Sequence, residues 1–251
     1  MRTALAACFL VLLAGCGGGG ESGSPPDVPA AAVREAPAKV RAEGTFAFAA
    51  TYVRQVPGQP DETYLTLTGA VDVRAASGRM EADLSALFEG LGSSEEFEEP
   101  IELSWTREQL TAVIEGEERS LPRAQAEENA GLIGRLPEEP AALVELLGRA
   151  EEIRRVGEER VDGQPTIRFA CSVDARRAGA AGVPAEVAPA FAQALYGPRL
   201  PLEVWLDGDG LPRRIEYVIR LKPLTTGGKQ VLPARAVRTA YDLSDFGEPV
   251  E

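Results

Sequence analysis

Ile101-Glu102-Leu103-Ser104-Trp105-Thr106 alternates apolar and polar side chains without a break, and the same period of two recurs along much of the chain. Successive side chains of a strand point to opposite faces, so such a run describes a strand with one dry and one wet side. Repeated many times, this pattern restricts the chain to an antiparallel sheet with one apolar face. In 45–54 the residues Phe46, Phe48 and Tyr52 share a face. Pro57-Gly58-Gln59-Pro60 then turns the chain into 62–69, where Leu65 and Leu67 point inward, with Val71 and Val73 continuing. Residues 79–84 alternate Met80, Ala82 and Leu84, and the run 110–114 ends at Glu115-Gly116. Residues 120–135 are polar and poorly patterned and are expected to form a loop.

The second half repeats the pattern. Strands at 152–161 and 166–174 flank Asp162-Gly163, a preferred hairpin pair, with Ile167, Phe169, Cys171 and Val173 on one face. A further hairpin, 200–207 and 211–221, turns at Asp207-Gly208-Asp209-Gly210 and carries Ile215, Tyr217, Ile219 and Leu221. A last strand is expected over 234–243. Two short amphipathic helices fit 140–147, which starts at a proline after two glutamates, and 183–196, where Val187, Phe191 and Leu195 recur every four residues.

The N-terminus has a different character. Arg2 precedes an apolar run over 4–13, too short to span a bilayer but suited to an export signal. Its ending, Leu13-Ala14-Gly15-Cys16, resembles the bacterial lipobox, in which the cysteine is diacylated and the chain is cut before it. The alternative is an ordinary signal-peptidase site. Residues 1–15 are thus expected to be a lipoprotein signal peptide, and Cys16 the lipidation site and membrane anchor. The glycine-rich, Ser/Pro/Ala-rich stretch that follows reads as a flexible tether over 16–41, reaching roughly 30 Å. One folded domain is expected over 42–251. That placement is the extracytoplasmic face of a cell membrane.

Composition excludes several functions. A formal charge of −13 argues against nucleic acid as a partner, because binding it calls for a basic surface. Histidine is absent, which removes His-activated nucleophiles, imidazole acid–base chemistry and the usual zinc or haem ligands. Paired glutamates such as Glu95-Glu96 and Glu138-Glu139 lie beside turns or helix starts and read as solvated faces. Asp207-Gly208-Asp209-Gly210 lacks the spaced glutamate of a calcium loop and reads as a turn. No enzyme, metal or cofactor is expected. Of three cysteines, Cys8 leaves with the signal and Cys16 is acylated, so Cys171 remains as a buried, inert thiol on its strand's apolar face.

Val156-Gly157-Glu158-Glu159-Arg160-Val161-Asp162-Gly163 with the strand over 166–174, the hairpin LPLEVWLDGDGLPRR over 200–214, and the closing Leu243-Ser244-Asp245-Phe246-Gly247 resemble three segments of one family. That family is the LolA/LolB-like superfamily of lipoproteins, in particular the actinobacterial lipid carriers of the LppX/LprG type. The resemblance implies an α+β fold: a strongly curved antiparallel sheet, an unclosed half-barrel, whose concave face is covered by short helices and holds acyl chains.

An acyl chain in water exposes about 0.8 kcal/mol per methylene, on the order of 10 kcal/mol in all, and a carrier must shelter it. The residues whose alternation aims them at the concave face are Phe46, Phe48, Leu65 and Leu67, then Ala82, Leu103 and Trp105, and finally Ile167, Phe169, Cys171 and Tyr217. They are the candidate ligand-binding residues, with plain core packing as the alternative. Trp205 falls opposite Leu202 and Val204 and is expected half-exposed on the outer face. The functional expectation is a lipoprotein that binds or carries a lipid or acyl group in the cell envelope. The alternative is a non-carrier sensor or adaptor with a packed core and a protein partner.

Overall fold

A computed structural model of the chain describes residues 27–84, 100–129, 139–174, 199–221, 224–226, 229–232 and 235–250. The signal segment, Cys16 and the helix expected over 183–196 lie outside the described residues. Eleven strands form one antiparallel sheet: β1 (Thr45–Gln55), β2 (Glu62–Asp72), β3 (Ser77–Asp83), β4 (Ile101–Trp105), β5 (Gln109–Ile114), β6 (Glu117–Pro122), β7 (Glu151–Val161), β8 (Gln164–Asp174), β9 (Arg199–Leu206), β10 (Pro212–Leu221) and β13 (Arg235–Ser244). A separate two-stranded ribbon pairs β11 (Leu224–Thr226) with β12 (Lys229–Leu232). Three helices accompany them: α1 (Ala32–Glu43), α2 (Arg123–Asn129) and α3 (Glu139–Leu147).

The order β6-β5-β4-β3-β2-β1-β13-β10-β9-β8-β7 shows how the chain is laid out. The first six strands meander outward from the centre to one edge. The chain then crosses to the opposite edge at β7 and meanders back, so that β13 pairs with β1. The two halves meet at that pair, and β6 and β7 remain as open edges. The sheet is therefore curved but not closed. Both edges are rich in charge, which discourages pairing with another chain's strand.

Two glycines permit a close approach of β2, β3 and the Trp105 side chain of β4. A Cβ on Gly69 would lie 2.2 Å from the Arg79 carbonyl oxygen, and one on Gly78 would lie 2.4 Å from the Trp105 ring. The backbones approach there as no side-chain-bearing residue would allow. The hairpin turn Asp162-Gly163 has φ of 48° and 80°, the left-handed pair of a type I′ turn that matches strand twist.

Alternation places the apolar side chains inward as expected. In one cross-strand row Ile101, Ala82, Leu67, Ala50, Tyr241, Ile215, Val204 and Phe169 stand side by side from β4 to β8, each 2% exposed or less. The helices α1 and α3 pack against each other over this inner face, with Val33, Ala36 and Val40 of α1 and Val144 and Leu147 of α3 in the same apolar cluster.

The first helix corrects one expectation. Residues 32–41 are not tether: Val33 and Ala36 are 0% exposed and Val40 1%. Their three- and four-residue spacing is helical, but the stretch is so rich in alanine and proline that composition masks it. Pro37 sits inside the helix, where it removes one backbone donor. Gly44, at φ 95°, ends it, and its N–H bonds the Val40 carbonyl at 3.0 Å. Arg74 reaches the carbonyls of Arg41 and Ala42, Arg41 pairs with Glu145, Lys39 donates to the Asp209 carbonyl, and Arg34 Nε donates to the Ala150 carbonyl at 2.7 Å. Helix burial and these ties offset the missing bond.

A second correction concerns 120–135, which is not all loop. Its first part completes β6 and then forms α2, whose Ala126 is 0% exposed. Every residue of β6 is exposed, so this edge strand is held by backbone pairing with β5 and shows no alternation to read.

Candidate functional site

The inner face of the sheet brings the sequence-derived candidates together. Phe46 and Phe48 come from β1, Leu65 and Leu67 from β2, Ala82 from β3, and Leu103 and Trp105 from β4. Ile167, Phe169 and Cys171 come from β8, and Tyr217 from β10. All are buried, none more than 6% exposed, and all belong to one apolar cluster. Burial alone pushes the Cys171 thiol up to about 12, so at neutral pH it is an uncharged, unreactive group.

Two hydroxyl-bearing residues of this face were missed. Tyr241 and Thr239 stand inward on β13, at 0% and 1% exposure. The alternation Val237, Thr239, Tyr241, Leu243 was the signal that could have found them. The Tyr52 and Tyr241 hydroxyls hydrogen-bond, their rings meeting edge-on at 6.2 Å, while Phe48 packs against Tyr241 at 6.2 Å and Tyr64 against Tyr52 at 6.3 Å. The face thus offers hydrocarbon over most of its area and phenol and threonine hydroxyls near the central strand pair.

The outer face is different in chemistry. Trp205 lies there, as alternation requires, but it is 4% exposed rather than half-exposed. Its register neighbours are Arg168 on β8 and Arg214 on β10, whose guanidinium carbons sit 5.1 and 5.9 Å from the ring centre. The indole donates to Glu159 Oε2 at 2.8 Å. Arg168 also bonds Glu159 and Glu203, at 2.8 and 2.6 Å. Alternation reveals which face a tryptophan takes, but not that two long arginines will lie over it. The Trp205 and Arg168 bonds hold the Glu159 carboxyl below its ordinary range. The Glu159 bond in turn raises Arg168, and Asp242 raises Arg214.

Further along the outer face, a trough of about 610 Å³ lies over β1–β5, bordered by Thr68, Arg79, Glu81, Glu102, Ser104 and Thr111 among others. Glu81 faces Glu102 directly in the strand register. At the β9–β10 turn, Asp207 Oδ1 accepts the backbone N–H groups of Asp209 and Leu211, both at 3.0 Å, and Oδ2 pairs with Arg213 Nε at 2.6 Å. Those bonds make Asp207 a turn residue. Among the described residues no group of three or more His, Cys, Asp or Glu is arranged to hold a metal ion, and no helix is long and apolar enough to cross a membrane.

No family model and no curated protein matches the sequence. Solved structures do match the fold. The chain is similar to LprF from Mycobacterium bovis, with TM-score 0.54, 15% identity, and coverage of 91% of this chain and 97% of that one. It is also similar to the lipoprotein LppX of Mycobacterium tuberculosis, with TM-score 0.51, 11% identity, and coverage of 88% and 96%. At these identities the likeness is one of fold: the chain shares the curved-sheet fold of LprF and LppX.

Proposed function

We propose that this chain is an acyl-anchored envelope lipoprotein that binds or carries a lipid or acyl group on the inner face of its curved sheet. The observation that carries this reading is the unbroken apolar row from Ile101 on β4 to Phe169 on β8, roofed by α1 and α3. A surface of that extent, curved around one side and lacking charge along the row, suits hydrocarbon and little else. The LppX-like fold supports it, as does the Leu13-Ala14-Gly15-Cys16 signal ending, which puts the anchor at Cys16 on the extracytoplasmic side. Among the described residues the row from Ile101 to Phe169 carries no acid–base pair, and the proposed role is binding. Mass spectrometry of organic extracts from protein purified without detergent tests the reading directly. A stoichiometric acyl lipid is expected; protein that arrives empty and takes up no lipid from vesicles overturns it.

The outer trough over β1–β5 favours a second reading, in which the sheet is a scaffold and an envelope protein docks on its outer face. An empty, lipid-refractory protein whose partner contacts are lost on Glu81→Lys would establish that reading instead.

A further inference from the structure

The inner face is hydrocarbon except near the central pair of strands. There Thr239 stands between Tyr52 of β1 and Tyr217 of β10 in the cross-strand register, with Tyr241 two residues along on the same face. Tyr52 and Tyr217 are 7% and 4% exposed, Thr239 and Tyr241 1% and 0%. Tyr52 and Tyr241 bond through their hydroxyls. The Thr239 hydroxyl, in contrast, is buried and has no hydrogen-bond partner among the described residues.

An unsatisfied hydroxyl in an apolar surround is costly, and folded proteins rarely keep one without a use. Threonine and valine are nearly the same shape, and valine would fill this position without that cost. From Thr239 and its phenolic neighbours the geometry points to a polar subsite within the apolar face, one that takes the oxygen-bearing end of an acyl ligand. This deepens the proposed lipid-binding role and rests on it.

The chemistry of the subsite narrows the ligand. Its groups are hydroxyls, and the inward positions Ala50, Leu65, Leu202 and Ile215 beside them carry no charge. A carboxylate brought here would be desolvated, and Arg54, the described guanidinium at the next position of the same parity on β1, is already paired with Glu62 at 2.7 Å, so hydroxyl donors alone would not return that cost. A neutral carbonyl needs only a donor. The subsite therefore fits an acyl ester carbonyl, as in a glycerolipid, rather than the anion of a free fatty acid. A hydrogen bond from Thr239 would satisfy that carbonyl and fix the ligand's depth along the face.

The test uses the full chain and three pyrene-labelled probes of equal chain length: a methyl ester, the free acid at pH 8, and the plain hydrocarbon. The ester is expected to bind tightest. Thr239→Val should weaken the ester roughly five- to tenfold, the scale of one hydrogen bond, leave hydrocarbon affinity nearly unchanged, and raise the melting temperature of the ligand-free protein by relieving the unsatisfied hydroxyl. Thr239→Ser should restore ester binding, and Tyr52→Phe, which keeps the ring, gives a second readout should Thr239→Val fold poorly. Hydrocarbon bound as tightly as ester, acid bound more tightly than ester, or equal losses for ester and hydrocarbon in the variants would each overturn the subsite while leaving lipid binding intact. Wild type that binds none of the three overturns both.

Discussion

The indole of Trp205 donates to Glu159 Oε2 at 2.8 Å, reaching over β8 to tie the edge strand β7 to the third strand in. Arg168 lies between them and bonds the same carboxylate. A carboxylate that accepts bonds from an indole and a guanidinium is favoured in its charged form, so its folded pKa falls below the ordinary 4.5. The contribution of Glu159 to stability is therefore complete above about pH 4.5 and fades as pH falls through the depressed folded value. Glu159→Gln should lower stability at pH 7 by at most about 1 kcal/mol, because the carboxylate is half-exposed and screened. Urea unfolding at pH 7 and pH 3 checks this: the gap between variant and wild type should narrow at pH 3, and a constant gap would assign the loss to packing.

Val33 on α1 reads as tether by composition and as core by position. Val33→Ala should cost about 2 kcal/mol, and Val33→Asp more, by placing an unpaired carboxylate in the apolar cluster that α1 shares with α3. Chemical denaturation measures it. A flexible tether would tolerate either change without effect.

Gly69 has no room for a side chain, since its Cβ would meet the Arg79 carbonyl at 2.2 Å. Gly69→Ala must push β2 away from β3 and flatten the sheet at that point. A loss of roughly 2–3 kcal/mol is expected, comparable to overpacking a core. Thermal unfolding of the variant gives the number, and a change below about 0.5 kcal/mol would mean that the bend is soft.

Phe169 and Ala82 test whether the inner face yields to a ligand. Where it is open to one, Phe169→Ala should cost less than the ~3–5 kcal/mol of a tightly filled core, and Ala82→Phe should block fluorescent acyl-probe binding with the fold intact. Melting temperature and probe titration of the two variants decide it. Strong destabilisation in both, with no binding by wild type, would favour the docking scaffold.

Cys16 is the expected acyl acceptor. Wild type should fractionate with membranes, since two acyl chains hold where one is marginal. Cys16→Ser should appear uncleaved or in the medium, and wild type found soluble with an unmodified thiol would remove the anchor from the proposal.

Much of the sheet could be read locally. Alternation in 45–54, 101–106 and 166–174 places Phe48, Leu103 and Phe169 on one dry face because side-chain direction depends only on residue parity along a strand. Asp162-Gly163 announces its hairpin because few other pairs tolerate positive φ at both positions. Local reading failed where the deciding contacts were distant in the chain. The helix of Val33, Ala36 and Val40 is held by α3, and its composition alone resembles a linker. Trp205 is buried by Arg168 and Arg214, whose strands become its neighbours only after the sheet has formed.

The sequence by itself thus determined the alternating strands, the Asp162-Gly163 turn and the face their side chains take, since these follow from backbone periodicity and turn sterics. Only the tertiary structure decided that β13 would close against β1, placing Thr239 between Tyr52 and Tyr217, and that an alanine-rich segment would join the roof. Such pairings depend on the free energy of burying surfaces that meet across nearly the whole chain, and no local window contains both partners.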